Sequence, residues 1–593
     1  MAVESHTLWS DRKLEDEVLQ AISLDLPWSV VERFAGLTRL SGSKDEAEAM
    51  DLIQGHLSKL GIPHTLHKPV TYISIPLEAT VRELGGEGRS FRAKTSAMSV
   101  STNGDELEGE LLYVGAAQSD TPGDVISATV DMSGVDGTGK IIVTEGLPFP
   151  GIVDAVTKSG AVAGIFVAPG KNIHETICTP IWGSPDLSNA DRRPKLPVIA
   201  VNRIDGDELV EQAKEGARVA VSTRLDTGWR EIPVLVAEIP GQTFPDEFVL
   251  LHGHLDSWHV GIGDNATGDA TMLELARVFW AFRDQLKRSL RVAWWSGHSH
   301  GRYAGSTWYA DTFAGELAEG CVAQVNCDSP GCRWATTFNE LTAMTETYPL
   351  ITDVIGSVAS IVPEPERPPR AGDYSFNGIG ISSYFMLSST MSDADREAHD
   401  YYPVGGCGGN IAWHTEDDVM EIADKENLLR DMRVYGAAVL RTLNAPVHPV
   451  DWRLTSAEIG ETLDRYAAAA QGVFDFAAAR KSVAKLDTAL DALYARAGQS
   501  DLNDDDLRAI NRAQRRIARF LIPVNFSRMP AFWHDPALNV PPLPDLHPAL
   551  RAPELEGDLE GTMLLKNSLQ RGQNRFVWMT NLAAEAAELG AGS

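Results

Sequence analysis

The stretch that most constrains this chain is FVLLHGHLDSWHVGIGDNATGDATMLELARVFWAF, residues 248–282. It opens with an apolar run that reads as a buried strand. His254 and Asp256 are two residues apart, so on a strand they share a face. A Gly-rich turn then delivers Asp264, and apolar residues at helical spacing follow. One histidine and one loop carboxylate at the carboxyl end of a strand occupy the place where an open α/β sheet keeps its chemistry.

The rest of the chain divides around this unit. Residues 13–61 read as helices, with Ser43 as an N-cap and Gly61 as a stop. The strand-like HTLHKPVTYISIP comes next. From Leu77 to about residue 231, short β-like runs (ELEGELLYVG, KIIVTEG, AGIFVAPG, LPVIAVN) alternate with Gly, Asp and Pro turns. Residues 232–450 return to strands alternating with helices, and RSLRVAWWSG, CVAQVNCD and ISSYFMLSS read as buried strands. Beyond Pro446, residues 456–520 carry apolar stripes at three- and four-residue spacing, with Asn503 or Asp504 as a helix cap. The expectation is an α/β fold, a mostly parallel sheet covered by helices. It spans 1–76 and 232–450, with a β-rich insert at 77–231 and an all-helical domain at 451–593.

Bulk properties exclude several functions. At 593 residues the chain should form more than one domain. A formal net charge of −30 argues against a nucleic-acid partner, since phosphate binding needs a basic surface. No apolar stretch reaches the length of a membrane span. The segment MAVESHTLWSDRKLEDE lacks the basic and apolar regions of a secretory signal. The five cysteines are sparse and odd in number, which suits a reducing compartment. The expected location is cytoplasmic.

Five motifs occur in order: HLDSWHVGIGDNATG, WWSGHSHGRYAGS (294–306), VNCDSPG (325–331), AGDYSF (371–376) and WHTEDD (413–418). Together they resemble the aminopeptidase Y / glutamate carboxypeptidase II / transferrin receptor family, metallopeptidases whose two metals share one Asp. That resemblance implies a zinc-peptidase-like fold, a protease-associated domain for the insert, a helical dimerisation domain and a homodimer. It implies two divalent ions, zinc foremost, and cleavage of an amide or peptide bond by metal-activated water. Asp264 matches the bridging ligand, His254 and Asp328 the outer ligands of one metal, and His414 a ligand of the other. Asp256 matches the acid behind the first histidine.

One motif departs from the family. Where it has Glu-Glu, a general base followed by a metal ligand, this chain has HSH within WWSGHSHGRYAGS. Counting from Gly305-Ser306 puts Ser299 and His300 at those positions. Counting from Trp295 puts His298 and Ser299 there. Three readings stand: His298 and His300 supply the ligand and the base; a single metal at His254, Asp264 and Asp328 does the work; or the site is dead and the protein binds a partner. A non-peptidase enzyme on the same scaffold is a further alternative. Losing the glutamates leaves the metal centre about one to two charges more positive, which favours an anionic substrate and weakens an aminopeptidase assignment. Arg302, Arg367 and Arg370 are candidate carboxylate clamps, and Asp373 and Tyr374 candidate substrate contacts. In the insert, Asp186, Asp191, Arg192 and Arg193 are the candidates for a pocket wall.

Overall fold

The computed structural model describes residues 11–85, 88–117, 128–385 and 387–592. Its centre is a six-stranded sheet ordered His64–His67, Val234–Ile239, Arg288–Trp295, Phe244–His254, Cys321–Asn326, Ser382–Tyr384. The last four pair parallel, and Val234–Ile239 runs antiparallel to both of its neighbours. From Glu247 to His254 every residue of the central strand is buried, as expected of a strand covered on both faces. Helices Thr267–Ala281 and Lys425–Asn444 pack into the core that the sheet shares with the N-terminal helices. Ser43 caps the helix Lys44–Leu60, and Gly61 ends it in the left-handed conformation.

Residues 70–231 build a second, eight-stranded sheet. Its long strands Val70–Glu83 and Arg218–Glu231 pair antiparallel from Val70 with Glu231 onward, so they leave the first sheet as a ribbon. The ribbon therefore begins ahead of residue 77, where the sequence pattern changes. Its register slips between Pro76 and Glu78, because proline has no N–H for the ladder.

Helices Trp452–Ala469, Ala477–Ala497, Asp504–Phe526 and Leu559–Ala591 form the C-terminal unit around their own apolar core. Asn503 starts the third with a reciprocal capping box to Asp506. A buried charge cluster joins this unit to the start of the central strand. Glu247 accepts from Arg288 Nε at 2.7 Å and from His448 Nε2 at 3.0 Å, and it pairs with Arg515.

Candidate functional site

The parallel strands end on one edge, in register: His254 lies beside Trp295 and His252 beside Asn326. The loops that follow them carry the site. His254 Nδ1 faces the backbone carbonyl of Asp256 at 2.8 Å. As a donor to it, the ring presents a bare Nε2 to the loops. That nitrogen lies 2.9 Å from Asp264 Oδ1 and 3.6 Å from Asp328 Oδ2. His414 repeats the arrangement: Nδ1 is 2.8 Å from the carbonyl of Glu175, and Nε2 is 3.1 Å from the other oxygen, Asp264 Oδ2. One carboxylate thus serves two imidazoles, one per oxygen. Burial acts to raise the Asp264 carboxyl, but the two imidazoles hold it well below the usual carboxylate range. Burial lowers His254, and Asp328 and Asp264 more than reverse that.

Asp418 fixes the Asp264 loop by accepting the N–H of Gly263 at 2.7 Å and of Asp264 at 3.0 Å. Burial pushes Asp418 up to about 7, against the Gly263 N–H and with the charge of Asp264. Asn265 ties the loop to its neighbours, donating to the carbonyls of His254 and Cys327 and accepting from the Ser329 N–H. Sequence reasoning did not single out either residue, although both lie inside the quoted motifs DNATG and WHTEDD. The Glu175 carbonyl had no side-chain signal at all.

The structure separates the two new histidines. His298 stacks on His254, with centroids 3.7 Å apart and planes 11° from parallel. It holds Asp373 Oδ2 through Nδ1 at 2.9 Å and lines the same pocket as Asp264, Asp328 and His414. His254, His298 and Asp328 each bring a ligand atom within 4.8 Å of the others. His300 turns the other way. Its Nδ1 meets Ser41 Oγ at 2.9 Å, and its ring lies against Trp258. The Asp256 carboxylate does not hydrogen-bond the His254 ring, staying 3.9 Å from it. It accepts instead from Ser41 and from the backbone N–H groups of His298 and Ser299, and so shapes the HSH turn.

Of the three arginines, only Arg302 lines the pocket. Arg367 bridges to the helical unit through Glu458 and the Asn525 carbonyl. Arg370 donates to the carbonyls of Tyr374 and Asp535 and stacks on Trp182. Asp373 is fully buried behind His298, also accepting from Ser306 Oγ at 2.6 Å. Tyr374 packs in an apolar cluster with Trp182 and Tyr303. From the second sheet, Phe149, Thr176 and Ile177 wall the pocket, rather than the 186–193 loop, whose Asp186 and Arg192 line a different cavity. Left-handed φ angles at Arg302, Tyr303, Ser329 and His414, +48°, +67°, +53° and +57°, cluster here. Each costs on the order of 1–3 kcal/mol and persists only where its surroundings enforce it.

The donor set fits divalent cations. Buried His254 Nε2 and Asp264 Oδ1 face each other without a directed hydrogen bond. Neutral imidazole and carboxylate are the ligands zinc takes, and one carboxylate with two free oxygens is what a shared ligand requires.

The sequence profile of Peptidase family M28 matches residues 235–439. Carboxypeptidase Q of Bos taurus is 25% identical over 291 residues, covering 46% of this chain and 57% of the relative. The chain thus spans little more than half the length of that relative. A Peptidase M28 precursor from Shewanella amazonensis superposes with a TM-score of 0.54 at 19% identity, over 74% of this chain and 98% of that one. A zinc aminopeptidase from Bacillus subtilis gives a TM-score of 0.50 at 18% identity, over 70% of this chain and 94% of that one. These two likenesses establish the shared α/β fold.

Proposed function

We infer that this chain, whose residues 235–439 match the profile of Peptidase family M28, is a metal-dependent hydrolase of peptide or amide bonds. The observation that carries this reading is Asp264, which offers one oxygen to His254 and the other to His414. In this reading His254 and Asp328 flank Asp264 at one cation and His414 flanks it at a second, with zinc the metal proposed from the donor chemistry. Bound ions would polarise the scissile carbonyl and lower the pKa of a water molecule.

The chain's own residues do the positioning. The carbonyls of Asp256 and Glu175 hold the two imidazoles in the tautomer that leaves Nε2 free. In this reading His298, which faces the pocket, stands in for one of the two glutamates that the family resemblance expects. With Nδ1 committed to Asp373, its other nitrogen can take a proton or a cation. The substrate proposed is small, because Phe149, Thr176 and Ile177 of the second sheet unit wall the pocket. The test is hydrolysis of a dipeptide panel by purified protein with zinc and after chelation. Zinc-dependent turnover is expected. Bound zinc with no cleavage of any peptide or amide would sink the peptidase assignment.

We also propose a homodimer. Leu564, Trp578 and Leu589 are about two-thirds exposed on the last helix. At 14 and 11 residues apart they share one face of it. A cytoplasmic location and a protease-associated identity for the second sheet complete the proposal.

A further inference from the structure

Arg302 is 3% exposed, yet among the described residues it has no carboxylate partner. It donates from Nη2 to the Ile177 carbonyl, and its Nε is buried without an acceptor. The other buried arginines are better supplied or lie elsewhere. Arg39 donates to three carbonyls, and Arg288 and Arg441 hold glutamates. Arg370 also keeps an unpaired Nε, but it donates to two carbonyls, lies over the Trp182 ring and does not line this pocket. A buried guanidinium with donors to spare is costly unless something supplies acceptors and negative charge.

Two further donors in the same pocket lack partners. Trp258, 6% exposed, has an unpaired Nε1–H, and Ser299, 1% exposed, an unpaired Oγ. Apart from His254 Nε2 and Asp264 Oδ1, which the proposed cation would take up, the unpaired groups around this pocket can all donate. Neutral peptide groups bring as many donors as acceptors, whereas a carboxylate brings acceptors only. Arg302 also sits at φ +48°, followed by Tyr303 at +67°. An arginine held there, with its guanidinium against the wall that the second sheet supplies, is enforced by its surroundings.

We propose that Arg302, with Trp258 and Ser299, forms a carboxylate subsite, so that the preferred substrate carries a free carboxylate close to the bond that is cut. This rests on the hydrolase reading and narrows it. The carboxylate comes from an acidic side chain or from a free C-terminus, and both present the same acceptors to the arginine fork.

The binding test uses zinc-loaded full-length protein and calorimetry with acetate and with the dicarboxylates succinate, glutarate and adipate. Acetate reports carboxylate binding at the metal alone. Arg302→Asn is the main variant, because asparagine tolerates left-handed φ. It should weaken the best dicarboxylate by about thirtyfold or more while acetate is unchanged, the scale for truncating one side of a buried charge pair. Arg302→Lys keeps the charge without the fork and serves if the first variant misfolds; about fivefold weakening is expected. Trp258→Phe, which keeps an aromatic ring but loses the N–H and part of the ring system, should cost a few-fold. Equal dicarboxylate affinity in wild type and a folded Arg302 variant overturns the subsite, as does failure of the zinc-loaded wild type to bind any dicarboxylate better than acetate.

The kinetic arm compares Asp-Ala-amide, Ala-Ala and Ala-Ala-amide. Preference for the first assigns the carboxylate to a side chain, and preference for the second to the C-terminus. Equal turnover of all three rejects the subsite while leaving the hydrolase reading standing. If nothing is cleaved, the hydrolase reading fails, and the calorimetry still decides whether Arg302 binds carboxylates.

Discussion

His298 and His300 share a motif but occupy different environments. His298 faces the pocket with its far nitrogen fixed on Asp373, whereas His300 is packed between Ser41 and Trp258. His298→Ala should therefore lower turnover by about a hundredfold or more with the fold intact, the usual scale for an acid–base group. His300→Ala should act through stability, removing the ring that packs on Trp258 and the Ser41 hydrogen bond, and should keep zinc stoichiometry. Rates, metal content and melting temperature measured together distinguish the two; equal catalytic loss in both, at unchanged melting temperature, would contradict the assignment. At this scale the sequence was legible where order and residue type repeat the family pattern: His254, Asp264, Asp328 and His414 do converge on one pocket edge. It was illegible where one inserted residue left the HSH register open, and where the partner of an imidazole is a backbone carbonyl. The Asp256 carboxylate shows the same limit. Spacing put it on the face of His254, but the chain turns after the strand and delivers it to the N–H groups of His298 and Ser299.

Among the elements, the segment 174–177 of the second sheet unit matters most. It accepts from His414 through Glu175, from Arg302 through Ile177, and walls the pocket with Thr176. His174 pins it, meeting the Trp413 carbonyl at 2.6 Å through Nδ1 and the Tyr402 hydroxyl at 2.7 Å through Nε2. His174→Ala should cost about 1–3 kcal/mol by leaving those buried groups unpaired, and should weaken zinc binding at His414. Urea denaturation and zinc titration of the variant check this; unchanged zinc affinity would mean that the segment does not position His414. Turn residues and short β-like runs made this unit recognisable in sequence. That it reaches into the site was not, because its contributions are mostly main-chain atoms.

For the molecule as a whole, the seam between the α/β unit and the C-terminal helices is polar and buried. Glu346 lies there, accepting from Thr455 Oγ1 at 2.9 Å, and burial pushes its carboxyl up to about 7. An unfolded glutamate ionises near 4.3. Between about pH 4.5 and 7 the unfolded chain therefore releases a proton that the folded chain keeps, and stability falls as pH rises. Glu346→Gln should remove that slope, exceeding wild type by about 1 kcal/mol at pH 5 and by about 3–4 kcal/mol at pH 8. Urea denaturation at both values checks it; no gain at pH 8 would contradict a buried neutral Glu346. The helical stripes of 456–520 were legible as amphipathic, since each needs a partner face, and the structure gives them one another. The exposed face of Leu564, Trp578 and Leu589 is what remains for a second copy. Leu564→Asp with Trp578→Asp should shift light scattering toward the 64.4 kDa chain mass, and a wild type that is monomeric at all concentrations would end the dimer proposal.

The account depends most on Asp264 as one carboxylate serving two cations. The direct measurement is zinc per chain, by elemental analysis after loading and desalting, in wild type and in Asp264→Asn. Asparagine keeps the size but presents one acceptor oxygen and no charge. The account predicts about two zinc ions per wild-type chain and one or none in the variant. Two ions retained in Asp264→Asn, or no stoichiometric zinc in the wild type, would contradict it.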